Sequence, residues 1–172
     1  MMSQRILLAI AMLLAALVVG VALFWQPELP ERPLPKAGLA EGGDFTLQSA
    51  DGPLSLKDFR GKVVLLYFGY TYCPDICPTT LVEMAAILKQ LGDQADRLQP
   101  IFVTVDPERD SAKVLKTYTE FFDPRILGLT GSPALVRRAA DNFKIRYAKV
   151  REPGNANYAV DHSAGMILLG PD

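Results

Sequence analysis

From Ile6 to Trp25 the chain carries no charged side chain and shows no polar face. Wound as a helix, this run would be about 30 Å long, the thickness of the hydrocarbon core of a bilayer. A helix that is apolar all round is poorly suited to the surface of a globular domain. The run therefore predicts a single transmembrane anchor at 6–25. Arg5 precedes it and Trp25 closes it, where an amphipathic ring suits the headgroup level. This pattern predicts a cytoplasmic N-terminus at 1–5 and places the rest of the chain outside, in a bacterium on the periplasmic side of the inner membrane. A cleaved signal peptide shares the basic start but has a shorter apolar core, and Gly20 and Ala22 offer only a weak cleavage site.

After the span the composition changes abruptly. Residues 26–37 are rich in proline, which removes backbone donors and favours an extended, semi-rigid linker. Residues 38–172 have room for one folded domain. With 18 Lys and Arg against 19 Asp and Glu, there is no excess positive charge to neutralise a phosphate backbone, so nucleic acid is not an expected partner.

Strand and helix signals alternate through the domain and predict an α/β fold. Phe45 to Leu47 and Leu54 to Leu56 flank Asp51-Gly52 and read as a hairpin. Val63 to Phe68 is a β-branched and aromatic run of the kind covered on both faces, hence a central strand. Leu81, Met84, Ala85, Leu88 and Leu91 recur at helical spacing, with Gly92 as the stop. Pro100 introduces a strand over 101–105, and Val114, Leu115, Tyr118 and Phe121 mark a second helix. A short strand at 126–129, a helix capped by Ser132 from Pro133 onward, and a last strand at 166–169 complete the pattern.

Soft-ligand or thiol chemistry has little to draw on, because the chain holds 2 cysteines and 1 histidine. Cys73 and Cys77 stand four residues apart between the buried strand and the first helix. Pro78 suits a first helical position, which predicts Cys77 at the N-cap, where the helix dipole would favour its thiolate. Cys73 falls in the preceding loop. His162, just before the last strand, can be delivered to the same end of the sheet. Two thiolates and an imidazole suit copper(I), but zinc with a water as fourth ligand would accept the same set. A structural disulfide is the competing reading for the pair, although so short a loop gains little from closure. Asp106, at a strand end before Pro107, is a candidate for hydrogen bonding to the metal site from outside its ligand set. Asp110 and Ser111 read as caps for the following helix, and Met84 and Met166 as packing residues.

Four segments together resemble the Sco/SenC family of copper-binding, thioredoxin-like proteins that serve cytochrome c oxidase assembly. They are the strand Lys62 to Phe68, the loop Gly69 to Pro78 with its Cys-x-x-x-Cys, the stretch Val103 to Asp110, and Asp161-His162-Ser163. Carried over by position, the resemblance implies one copper ion per chain on Cys73, Cys77 and His162. It implies a thioredoxin-like domain with a central mixed sheet, tethered by one N-terminal helix. It also implies cytochrome c oxidase subunit II as partner, either receiving copper at its binuclear centre or having its cysteines reduced, and a separate copper-donating chaperone. Family domains continue past the last visible strand, so the fold is expected to be truncated at Asp172. Tyr72 stands where some relatives have histidine. The alternative function is a thiol-disulfide oxidoreductase acting on extracytoplasmic proteins, with Cys73 and Cys77 as the catalytic, redox-active pair. Dedicated enzymes of that kind carry Cys-x-x-Cys, and they leave the histidine without a role. A peroxidase is disfavoured, since Tyr70 and Pro74 stand three residues before the cysteines, where peroxiredoxins have Thr or Ser.

Overall fold

The computed structural model of the chain describes residues 43–151 and 158–171 and, near the N-terminus, positions 6, 8, 12–14 and 17. Among the described residues no helix is long and apolar enough to cross a membrane. The expected anchor at 6–25 lies largely outside the described residues, and the linker at 26–37 lies wholly outside them. The chain falls into two units, Met1–Ala37 and Gly38–Asp172.

In the second unit a four-stranded sheet runs in the order Leu127–Leu129, Leu98–Thr104, Val63–Gly69, Met166–Leu169. β3 (Val63–Gly69) is buried at every position but the first, as a continuous apolar run requires. It lies between β4 (Leu98–Thr104), which is parallel to it, and β8 (Met166–Leu169), which is antiparallel. β5 (Leu127–Leu129) pairs parallel with β4. The expected mixed α/β sheet is present. β4 begins two residues ahead of Pro100, rather than at Ile101 as the sequence suggested. β5 joins only from Ile101 onward, so Pro100 stands where β4 has one ladder partner, a place that tolerates a missing N–H.

Three α-helices connect and cover the strands. α1 (Ile76–Leu91) turns Cys77, Thr80, Leu81, Met84 and Leu88 inward, a spacing close to 3.6 residues. α2 (Ala112–Glu120) is capped by Ser111, whose hydroxyl accepts the Val114 N–H. Its inward residues are Leu115 and Thr119, with Tyr118 and Phe122 packed against the core. Val114 and Phe121, expected on that face, are exposed instead, Phe121 to 85%. They lie one residue, about 100° of rotation, off the true stripe. α3 (Pro133–Asn142) starts as expected, with Ser132 accepting the Leu135 N–H. Fully buried side chains such as Leu66, Phe68, Ile101 and Phe102 form the core, each worth roughly 1.5–3 kcal/mol relative to exposure.

Two hairpins flank the sheet. β1 (Thr46–Ser49) and β2 (Gly52–Ser55) pair with Ser49 opposite Gly52. The turn therefore falls on Ala50-Asp51, one residue earlier than the Asp51-Gly52 signal indicated. The Ser49 hydroxyl stabilises it, accepting the Asp51 N–H and donating to the Gly52 carbonyl. β6 (Tyr147–Val150) and β7 (Ala159–His162) form a second antiparallel hairpin that the sequence did not announce. Only Val160 among those eight residues is buried, too little apolar periodicity to signal a strand. Along β8, Leu168 is 66% exposed and, with Val63, Leu65, Ile87, Leu91 and Met166, lines an apolar groove of about 490 Å³.

Candidate metal centre

The buried strand β3 ends at Gly69, and the loop from Tyr70 to Asp75 carries Cys73 before α1 begins. The Cys73 N–H donates to the Tyr70 carbonyl, which makes the loop turn. Gly69 is where the strand meets the Cys77 sulfur. A Cβ there would stand 2.8 Å from Cys77 Sγ and 2.8 Å from Phe102 Cε2, so the absent side chain is what lets the thiol lie against the strand end. From the other direction β7 delivers His162, whose Nε2 lies 3.4 Å from Cys77 Sγ. One ligand atom from each of Cys73, Cys77 and His162 lies within 4.8 Å of the other two. Both cysteines are free and buried, and His162 is half-buried.

The local setting of Cys77 departs from the sequence expectation. α1 begins at Ile76 with Asp75 before it, so Cys77 is the second helical residue rather than the N-cap. Its thiol is pushed up to about 12, chiefly by burial, with Cys73 adding to the rise and hydrogen bonds from Tyr67 and the Tyr70 backbone opposing it. Desolvation thus outweighs the helix end. In the metal-free protein Cys77 is a neutral thiol, and an incoming metal must displace its proton.

His162 is held in one tautomer. Its Nδ1 lies 3.0 Å from the Ser163 carbonyl oxygen. A carbonyl only accepts, so Nδ1 carries the proton and Nε2 presents its lone pair to the sulfurs. Ser163 is itself anchored, its N–H donating to the Arg146 carbonyl and its hydroxyl accepting the Arg146 N–H. Two tyrosine rings meet the imidazole edge-on. Tyr67 lies 6.2 Å away between centroids and Tyr70 5.9 Å away. The Tyr67 hydroxyl also donates to Cys77 Sγ at 3.5 Å.

Behind the loop two aspartates divide the work. Asp110 is fully buried, and one of its carboxylate oxygens accepts the Thr71 N–H at 3.0 Å and the Thr104 hydroxyl at 2.6 Å. The other accepts the Thr71 hydroxyl. The expected helix cap is therefore Ser111 alone, and Asp110 is a clamp that ties the cysteine loop to the end of β4. Asp106 is also fully buried and accepts from the Arg109 guanidinium and, at 2.8 Å, from the Tyr158 hydroxyl. Arg109 in turn lies 5.7 Å from the Tyr70 ring centre and 3.8 Å from that of Tyr158. Sequence reasoning missed the contributions of Tyr67, Tyr70, Asp110, Arg109, Tyr158 and Ser163. The only local hint was the density of tyrosines around the cysteines. Met84 is wholly buried in the core.

The SCO1/SenC family model matches residues 35–172. The mouse (Mus musculus) protein SCO2 homolog, mitochondrial, is 40% identical over 151 residues, which make up 86% of this chain and 59% of the mouse protein. The chain thus spans less than two thirds of that relative's length. Among solved structures, ScoI of Bradyrhizobium japonicum with copper bound aligns with a TM-score of 0.72 and 39% identity, covering 76% of this chain and 83% of that one. BsSco, in which a disulfide switch has been identified, is a member of the Sco family of cytochrome c oxidase assembly proteins. It aligns with a TM-score of 0.57 and 31% identity, covering 76% of this chain and 77% of its own. The relatives are thus both mitochondrial and bacterial, and they share a thioredoxin-like α/β fold. A match of this identity, taking in the whole described α/β unit and all three clustered donors, makes the chain a member of the SCO1/SenC family.

Proposed function

We propose that the chain is a membrane-anchored copper carrier. In this reading residues 6–25 span the membrane once with the N-terminus cytoplasmic, residues 26–37 form the linker, and the domain from 38 onward faces the periplasm of a bacterium. Cys73, Cys77 and His162 hold one copper ion as cargo, received from a copper-donating chaperone. The ion is passed to the binuclear copper centre of cytochrome c oxidase subunit II, or the domain prepares that subunit's cysteines. The observation that carries the reading is the meeting of two thiols and a lone-pair-bearing imidazole nitrogen within 4.8 Å. That donor set fits copper(I), which favours soft sulfur ligands. The relatives' copper-bound structure and their place in oxidase assembly support it. Asp106 acts from outside the ligand set, through Arg109.

A second reading, thiol-disulfide exchange at Cys73 and Cys77, is favoured by the free, closely spaced pair. One set of variants separates the two. The full chain, purified anaerobically in detergent and reduced, is expected to take up one copper(I) in competition with a chromogenic chelator. Cys73→Ser, Cys77→Ser and His162→Ala should each weaken uptake by more than the roughly 10–100-fold that outer contacts are worth. Wild-type affinity in all three would overturn the carrier reading. If His162→Ala reduces an oxidised subunit II peptide as fast as wild type while both serine variants are inert, thiol exchange is the function.

A further inference from the structure

The hairpin that carries His162 is a two-stranded sheet of its own, and among the described residues no ladder joins it to the central sheet. Beyond its short chain links to α3 and β8, its position against the cysteine loop therefore depends on side-chain contacts. Tyr158, four residues before His162, supplies one at the entrance to β7 by donating to Asp106. A second comes from Tyr70, closer along β7 to the imidazole. This side chain is 4% exposed. Its hydroxyl oxygen accepts the N–H of Val160, itself 3% exposed, at 3.3 Å. Its ring stands edge-on to the imidazole at an interplanar angle of 87°. The carbonyl of the same residue receives the Cys73 N–H. Tyr70 thus shapes the turn that holds one candidate ligand and grips the strand that holds another, while its ring stands edge-on to the imidazole.

We infer that Tyr70 is a positioning residue of the centre, its hydroxyl fixing β7 so that His162 Nε2 faces the two sulfurs. A ligand on a hairpin without a ladder to the core can move away from its partners, and one buried hydrogen bond two residues before it limits that motion. The inference deepens the copper-binding reading and rests on it for one of its two readouts. The other is metal-free.

The test uses the full chain with Tyr70→Phe, which keeps the ring and removes only the hydroxyl, together with His162→Ala and the double variant. In the metal-free protein, Tyr70→Phe is expected to speed amide exchange at Val160 by about tenfold, the equivalent of one buried hydrogen bond. The His162 ring nitrogen resonances should shift, and the melting temperature should fall by a few degrees, as the loss of one buried hydrogen bond implies. With copper(I) as probe, Tyr70→Phe should weaken binding by about 10–100-fold and cost nothing further once His162 is alanine, because coupled residues fail to add. Unchanged exchange at Val160 and an unshifted His162 ring would overturn the inference, as would an equal loss of affinity in the His162→Ala background. If His162→Ala itself binds copper like wild type, the ligand reading fails and the metal-free measurements alone decide the role of Tyr70.

Discussion

Single residues near the cysteines owe their roles to partners far away in the chain. Asp110 shows this best. Standing before Ser111 and an apolar helical pattern, it reads locally as a cap, yet its carboxylate reaches Thr71, 39 positions distant. Removing it strands the buried Thr104 hydroxyl and the Thr71 N–H. Asp110→Ala is therefore expected to lower stability by about 2–3 kcal/mol, in the range for buried groups left without partners. Asp110→Asn, which keeps an acceptor, should lose less. Urea unfolding of the two variants checks the order. The ligand set was more legible than the clamp, because two cysteines and one histidine leave few alternatives for a soft-metal site. The protonation of Cys77 was not legible, since it depends on burial that no local pattern reports.

Elements were readable as types and less so as boundaries. The buried strand β3, the helix after the cysteines, the Ser132 cap and the final strand all fall where periodicity and capping residues indicated. Three shifts of one or two residues had consequences. The Ala50-Asp51 turn changes only a hairpin, but the rotated face of α2 puts Val114 and Phe121 on the surface and the early start of α1 takes Cys77 off the N-cap. The junction of β3 and α1 tolerates no further bulk. Gly69→Ala would press a methyl group against Cys77 Sγ and the Phe102 ring, both fully buried. We expect a loss of about 1–3 kcal/mol, as for other overpacked cores, together with weakened copper(I) uptake because the sulfur must yield. Calorimetry paired with a chelator competition checks both. An unchanged melting temperature would mean that the strand end is looser than its contacts imply.

At the scale of the whole molecule, the surface ion pairs of the described residues contribute a modest and acid-sensitive part of the stability. The Arg125 guanidinium and N–H hold the Asp123 carboxyl below its ordinary range, and Lys57 does the same for Asp44. A carboxylate that binds protons less readily in the folded state contributes stability above the unfolded value of about 3.9 and loses it as pH falls through the folded value. The urea midpoint should therefore drop as pH falls below about 4, and Asp123→Asn should flatten part of that slope. The drop will be small, because the Arg125 side chain is 45% exposed and solvent screens the pair. What the sequence by itself determined was the alternation of strands and helices, the central place of β3 and the identity of the scarce soft donors, since burial periodicity and composition are local properties. Only the tertiary structure decided that His162 meets a sulfur 85 positions away, that its Nδ1 keeps the proton, and that Cys77 stays neutral. Those outcomes depend on which groups the fold brings together and which it shields from water, and both are properties of the assembled fold rather than of any stretch of chain.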